Sequence, residues 1–166
     1  MAPKALIILG SARKGGDTQK LVNRLFNKEN ATVLDLLDYH IFPYNYGGVY
    51  PKEDSFLLLI NQMLKHQKII FATPVYWYAM SGLIKTFFDR MTDVVTIQKQ
   101  FGRKMNGKEV YLVSVGTDDA LSQGFEVPFR LTAAYFDMNF IASYYCRTDK
   151  IAIERKEKHD FLRNFI

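Results

Sequence analysis

The chain has 166 residues, 48% of them hydrophobic and 23% charged, with a formal net charge of +5. That length suits one domain with a sizeable core, spanning residues 1–166, and the composition excludes a disordered chain and a fibrous repeat. The positive balance favours anionic partners, phosphorylated small molecules among them, but neither a long basic arm nor a recognisable reading module is present, so no nucleic-acid partner is expected.

Cys146 is the only cysteine, which excludes an internal disulfide and a cysteine-based metal cluster within one chain. It lies in an apolar run and reads as a core residue rather than a nucleophile. The opening MAPKALIILG is too short for a membrane span and runs directly into the first apparent strand. The expectation is a cytoplasmic protein in a reducing compartment, with no membrane partner.

In chain order, ALIIL at 5–9 is a buried strand, uniformly apolar as strands covered on both faces are. The turn LGSARKGGDTQKL follows and leads into a helix whose apolar face is Leu21, Val22, Leu25 and Phe26. ATVLDL at 31–36 reads as a less uniformly apolar strand. YHIFPYNYGGVYPKED, 39–54, is a long irregular stretch rich in aromatics and turn formers, of the kind that makes lids or interfaces.

Phe56, Leu59, Ile60, Met63 and Leu64 give a second helical face, and IIFA at 69–72 a third strand. The third helix repeats its face at Leu83, Ile84, Phe87, Phe88 and Met91. A loop bearing Lys99, Arg103, Lys104 and Lys108 precedes the fourth strand, VYLVSV at 110–115. Those cations read as solvated surface, with contact to the phosphates of a nicotinamide nucleotide as the alternative. A helix starting around Pro128 covers Phe129 to Met138, FIASYY at 140–145 is the fifth strand, and a last helix covers much of 149–165.

Strand and helix thus alternate five times, which calls for a parallel sheet with helices on both faces and right-handed crossovers. Five strands fit an α/β, flavodoxin-like three-layer sandwich with strand order 2-1-3-4-5. Ligands of such sheets bind at the carboxyl ends of the strands, where the turns after Leu9, Thr73 and Val115 converge.

Three stretches there carry chemistry. GSARKGGDTQKL has Gly10, Gly15 and Gly16 for backbone freedom, hydroxyls at Ser11 and Thr18 and the cation Arg13, all before a helix N-terminus: the parts of an anion site. It lacks both the lysine-hydroxyl ending of a nucleoside-triphosphate loop and the spacing of a dinucleotide fingerprint, so a single phosphate suits it better. TPVYWYAMSGLIKTFFDR ends a strand in a proline and three consecutive aromatics, which cannot all turn into one core; they present a surface to a flat heterocycle, or else pack under a loop or at a dimer contact. SVGTDDA is ordinary turn chemistry whose value lies in its position after the fourth strand.

On these residues the chain resembles the NAD(P)H-dependent FMN reductases of flavodoxin-like fold, relatives of small quinone and azo-compound reductases. GSARKGGDTQKL is similar to that family's phosphate loop, PVYWYAMSGLIKTFFDR to its second signature, and NGKEVYLVSVGT to its fourth strand and flavin-edge loop. The resemblance implies that Ser11, Arg13, Thr18 and Gln19 hold the FMN phosphate with the amides of the Lys14 to Thr18 turn. Asp17 stands where many relatives have asparagine, and is expected to turn away as a helix cap or to pair with Arg13 or Lys14. Pro74, Val75, Tyr76, Trp77 and Tyr78 would border the isoalloxazine, and Gly116, Thr117 and Asp118 its other edge. The 39–54 stretch lacks the cysteines of the iron-sulfur branch.

The implied activity is hydride transfer from NADH or NADPH to FMN, then reduction of a flavin, quinone, azo compound or similar acceptor. No side chain need act as a catalytic acid or base, because the flavin does the chemistry. The alternatives are a flavodoxin-like electron carrier and a flavin-dependent regulatory protein without NAD(P)H turnover. His40, His66 and His159 fall in unlike segments, so no metal site is expected. EVPFRLTAAYFDM is either core or part of a homodimer interface, as in relatives of this family.

Overall fold

A computed structural model describes residues 4–165. Its centre is a parallel five-stranded sheet of β1 (Ala5–Leu9), β2 (Ala31–Asp35), β3 (Lys68–Pro74), β4 (Glu109–Gly116) and β5 (Asn139–Arg147), in the order β2-β1-β3-β4-β5. The flavodoxin-like order expected from the alternation is the order found.

Helices α1 (Asp17–Leu25) and α7 (Lys156–Leu162) cover one face, meeting Ile7, Leu9, Val113 and Tyr144 through Leu21, Val22, Leu25 and Phe161. The other face carries α2 (Phe56–Leu64), α3 (Gly82–Arg90), α4 (Asp93–Thr96), α5 (Lys99–Arg103) and α6 (Val127–Tyr135), packed on Leu6, Ile8, Phe71 and Leu112 through Phe56, Leu59, Ile84, Phe87 and Phe129. Both faces are covered, so β1, β3 and β4 are apolar without alternation. Each buried Leu, Ile or Phe contributes roughly 1.5–3 kcal/mol of transfer free energy.

Several elements differ from the sequence expectation, each for a local reason. The second strand stops at Asp35, whose carboxylate accepts from the Leu37 N–H at 3.0 Å and starts a 3-10 turn at Leu36–Asp38. The crossover from β3 to β4 holds three helices, so Lys99 and Arg103 are helical rather than in a loop. α6 begins at Val127 and stops at Tyr135, short of Met138: Asp137 takes the left-handed conformation, φ 53°, and the Met138 N–H closes on the Ala133 carbonyl at 2.9 Å.

The last helix is likewise shorter than expected. Arg24 on α1 holds the Ala152 carbonyl at 2.7 Å and Glu154 at 3.0 Å, which draws 151–155 across the surface until α7 begins at Lys156. β5 is an edge strand, only half-buried along much of its length. It contains a bulge: Val110 pairs with Phe140 but Tyr111 with Ala142, leaving Ile141 over.

Candidate functional site

The ladder brings the three expected turns to one end of the sheet. Leu9 lies beside Ala72, Thr73 beside Ser114 and Pro74 beside Val115, and the Gly10 N–H donates to the Ala72 carbonyl at 2.8 Å.

In the first turn Gly10 must be glycine, because a Cβ there would lie 2.4 Å from Ile84 Cγ1. Gly15 turns left-handed at φ 65°, and its N–H is held at 2.5 Å by Gln19 Oε1. Gln19 thus acts inward on the loop. Gly16 is the N-cap of α1, and among the described residues no side chain caps that helix, so its first-turn amides have no side-chain acceptor. Ser11 and Thr18 are buried within the turn, whereas the Arg13 side chain is 73% exposed.

Asp17 is neither the cap nor a partner of Lys14. It pairs with Lys20 at 3.1 Å and loosely with Arg13 at 3.9 Å. Lys14 instead spans Asp35 at 2.8 Å and Asp38 at 2.7 Å, beyond the end of β2, and those carboxylates raise its ammonium above the ordinary lysine value. Arg13 is therefore the cation of this turn with the weakest internal partner.

The second turn is anchored at both ends. Thr73 Oγ1 accepts from the Ser81 N–H at 3.0 Å, and Ser81 Oγ caps α3 by accepting from the Ile84 N–H at 3.3 Å. Between them Tyr76 and Ala79 exchange both backbone hydrogen bonds, at 2.9 and 3.0 Å, around Trp77 at φ 49° and Tyr78 at φ 64°. This is a type I′ turn, a geometry that favours Asn and Gly and costs an aromatic residue about 1–2 kcal/mol per position. Its aromatics project outward, with Trp77 94% exposed. They do not pack beneath a loop.

The third turn faces the second. Val75, Trp77, Tyr78, Gly116, Thr117 and Asp118 line one cavity of about 160 Å³. Ala120, Leu121, Ser122 and Tyr145, not anticipated from the sequence, complete its wall. Pro74 is buried in β3 below it, and Tyr76 stands half-exposed at the turn's first position. The residues of the Gly10–Gln19 turn lie outside this cavity, one strand away. Among the described residues the Ser122 and Ser114 hydroxyl oxygens are buried without a hydrogen-bond partner.

Lys99 and Arg103 lie elsewhere, around a hollow with Asn106 and Asp137, which precede β4 and β5. The eight residues of β4 separate that end from the cavity by roughly 20–25 Å. Lys108 is not solvated surface: it is buried, donating to the Leu64 carbonyl at 3.1 Å and the His66 carbonyl at 2.7 Å, and burial lowers its ammonium pKa. Cys146 is buried in the core, which pushes its thiol up. Among the described residues no three His, Cys, Asp or Glu side chains come together as a metal site.

Comparison with known proteins shows what the chain as a whole is similar to. A model of the family described as NADPH-dependent FMN reductase matches residues 3–151. YwqN of Bacillus subtilis, named as an NAD(P)H-dependent FMN-containing oxidoreductase, is 32% identical over 128 residues, covering 73% of this chain and 71% of its own. Among solved structures, the Trp repressor binding protein from Bacillus subtilis superposes with a TM-score of 0.72 at 26% identity, covering 96% of this chain and 95% of that one. General stress protein 14 from Treponema denticola, solved in complex with FMN, shares the fold with a TM-score of 0.66 at 17% identity, over 99% of this chain and 100% of that one.

Proposed function

Because the chain belongs to the NADPH-dependent FMN reductase family, we propose that it is an FMN-dependent oxidoreductase that draws electrons from NAD(P)H and delivers them to a small planar acceptor such as a quinone, a free flavin or an azo compound. The observation that carries this reading is the shared cavity: the strained aromatic turn Tyr76–Ala79 and the Gly116–Asp118 turn face each other across it, one strand from a capless helix N-terminus.

The residues present fit the cofactor. A Cβ at Gly116 would lie 2.8 Å from Tyr145 Oη, so the wall there is reduced to backbone. The buried Ser122 hydroxyl has no hydrogen-bond partner among the described residues and lines the cavity, as a group that a polar ring edge would satisfy. The amides at the start of α1 suit one phosphate group.

Bound FMN supplies hydride acceptance from NAD(P)H and onward electron transfer to the acceptor. The chain supplies position and electrostatics. Arg13 and the amides of the Lys14–Thr18 turn hold the phosphate, with the Ser11 and Thr18 hydroxyls beside them. Asp17 steadies Arg13, and Gln19 fixes the Gly15 amide. Pro74, Val75, Tyr76, Trp77 and Tyr78 would border the ring on one side, and Gly116, Thr117 and Asp118 on the other, where backbone amides would stabilise negative charge on the ring. No side chain is required as a general acid or base.

In this reading residues 1–166 form one FMN-binding domain in a cytoplasmic protein. Val127, Leu131 and Tyr135 are 47%, 65% and 71% exposed at every fourth position of α6, which supports a homodimer through that helix. Among the described residues no helix is long and apolar enough to cross a membrane.

The test is an anaerobic titration of FMN-reconstituted protein with NADPH and then NADH, following the flavin's visible band. Rapid bleaching by either donor is expected and identifies the preferred one. Bound flavin that resists both donors would overturn the reductase in favour of a carrier, and protein that binds no flavin would overturn the site.

A further inference from the structure

We infer that Tyr145, on β5, is the positioning residue that sets the Gly116–Asp118 turn for the ring of FMN. The inference rests on the functional reading above and extends it to a residue outside all three turns.

The Ile141 bulge decides which of two adjacent tyrosines reaches the cavity. Beyond it, Tyr144 pairs with Val113 and Cys146 with Val115, and all four join the core beneath α1 and α7. Tyr145 pairs with Ser114 and Arg147 with Gly116, so both lie on the opposite face, at the carboxyl end of the sheet. A one-residue change of phase would exchange them.

On that face Tyr145 braces the turn twice. Its hydroxyl donates to the Asp118 carbonyl at 2.7 Å, and its ring edge and oxygen occupy the space that a Gly116 side chain would take, at 3.2 and 2.8 Å from the Cβ position. Burial, then the Asp118 carboxylate, holds the phenol above its ordinary pKa, so it keeps the proton it donates. Arg147, two residues on along the strand, pairs with Asp119. Two residues of one strand face thus hold Asp118 and Asp119, in a stretch that is exposed from Thr117 to Ala120 and made of small and polar residues.

Pinning the Asp118 carbonyl onto β5 fixes the orientation of the Asp118–Asp119 peptide unit and restrains the chain leading into it. The turn then meets the ring with its amides already placed, and loses little freedom on binding. Tyr145 touches the turn and lines the cavity, so its effect reaches the ring's electronics as well as its affinity.

The experiment compares wild type, Tyr145→Phe, Asp119→Asn and Arg13→Ala by FMN fluorescence titration of flavin-free protein and by the flavin midpoint potential of the reloaded holoenzyme. Tyr145→Phe is expected to bind FMN about five- to tenfold more weakly, the loss of one net hydrogen bond, and to shift the midpoint potential to more negative values. Asp119→Asn, a change at a surface position, is expected to move both readouts in the same direction by less. Arg13→Ala is expected to weaken binding while leaving the potential where it is. A Tyr145→Phe protein with wild-type affinity and wild-type potential would overturn the assignment, whatever Asp119→Asn does. A wild-type protein that binds no FMN would instead overturn the function proposed above.

Discussion

Arg90 and Asp54, 36 residues apart, meet in the interior as a two-pronged ion pair: Nη1 lies 2.7 Å and Nη2 2.9 Å from the two carboxylate oxygens. The same guanidinium donates to Asp93 at 2.8 Å and to the Phe42 carbonyl at 2.9 Å, and stacks 3.4 Å over the Tyr50 ring. The irregular 39–54 stretch is therefore fastened from inside near both its ends, at Phe42 and at Tyr50 and Asp54, while Tyr46 and Val49 between them stay exposed.

Removing one partner of this pair leaves a charge stranded in the interior. Asp54→Ala is expected to destabilise the protein by about 3–5 kcal/mol, read from the denaturant midpoint, with the 39–54 amides losing exchange protection first. A loss below about 1 kcal/mol would show that the stretch is held by other contacts.

The same pair sets an acid limb. Burial raises the Asp54 carboxyl, but Arg90 and the Phe42 and Phe56 amides outweigh it and leave the group titrating below the ordinary carboxylate value. Its folded pKa lies below its unfolded one, so its stabilisation is complete above the unfolded value, near about 4, and is lost as pH falls through the folded value. Stability measured from about pH 6 down to about pH 3 is expected to fall more steeply in wild type than in Asp54→Asn. Equal slopes would assign the acid limb to other carboxylates.

Gly10→Ala places a methyl 2.4 Å from Ile84 Cγ1 and 3.1 Å from Ser81 Oγ. The expected loss is about 1–3 kcal/mol, together with weaker FMN binding as the turn tilts from α3. Ile84→Ala in the same chain should recover part of the binding, because it removes the atoms that clash. If binding stays low in the double variant, the turn is not positioned through Ile84.

Arg13→Ala removes the exposed cation of the first turn while leaving the Lys14 pairs with Asp35 and Asp38 intact. FMN affinity is expected to fall about thirtyfold, with turnover per bound flavin nearly unchanged. Wild-type affinity with lost turnover would place the phosphate elsewhere.

The aromatic turn predicts a trade between stability and binding. Tyr78→Gly relieves a left-handed tyrosine and is expected to stabilise the flavin-free protein by about 1 kcal/mol while weakening FMN binding. A variant more stable and equally tight for FMN would show that the strain serves some other contact.

Much of this architecture is written locally. The apolar runs placed all five strands to within a few residues, because a strand covered on both faces must be apolar along its whole length. Gly10, Gly15 and Gly16 ahead of a helix, and three aromatics that one core cannot absorb, mark two of the turns in the sequence alone. The sequence by itself therefore determined the sheet, its connections and the stretches from which the site is built.

The tertiary structure decided what depends on register and on distant partners. Nothing near Tyr144 and Tyr145 distinguishes them; a single unpaired residue at Ile141, created by the fit of β5 to β4, sends one to the core and the other to the cavity. Lys108 reads as one of four surface cations until the carbonyls of Leu64 and His66, more than 40 residues earlier, receive it. Arg90 ends the third helix with no local sign of burial, yet Asp54 and Asp93 enclose it in the interior. Short-range patterning reports which side of an element is apolar, whereas a polar side chain's place is set by whichever donor or acceptor the completed fold brings within about 3 Å, because burial without one is too costly to persist.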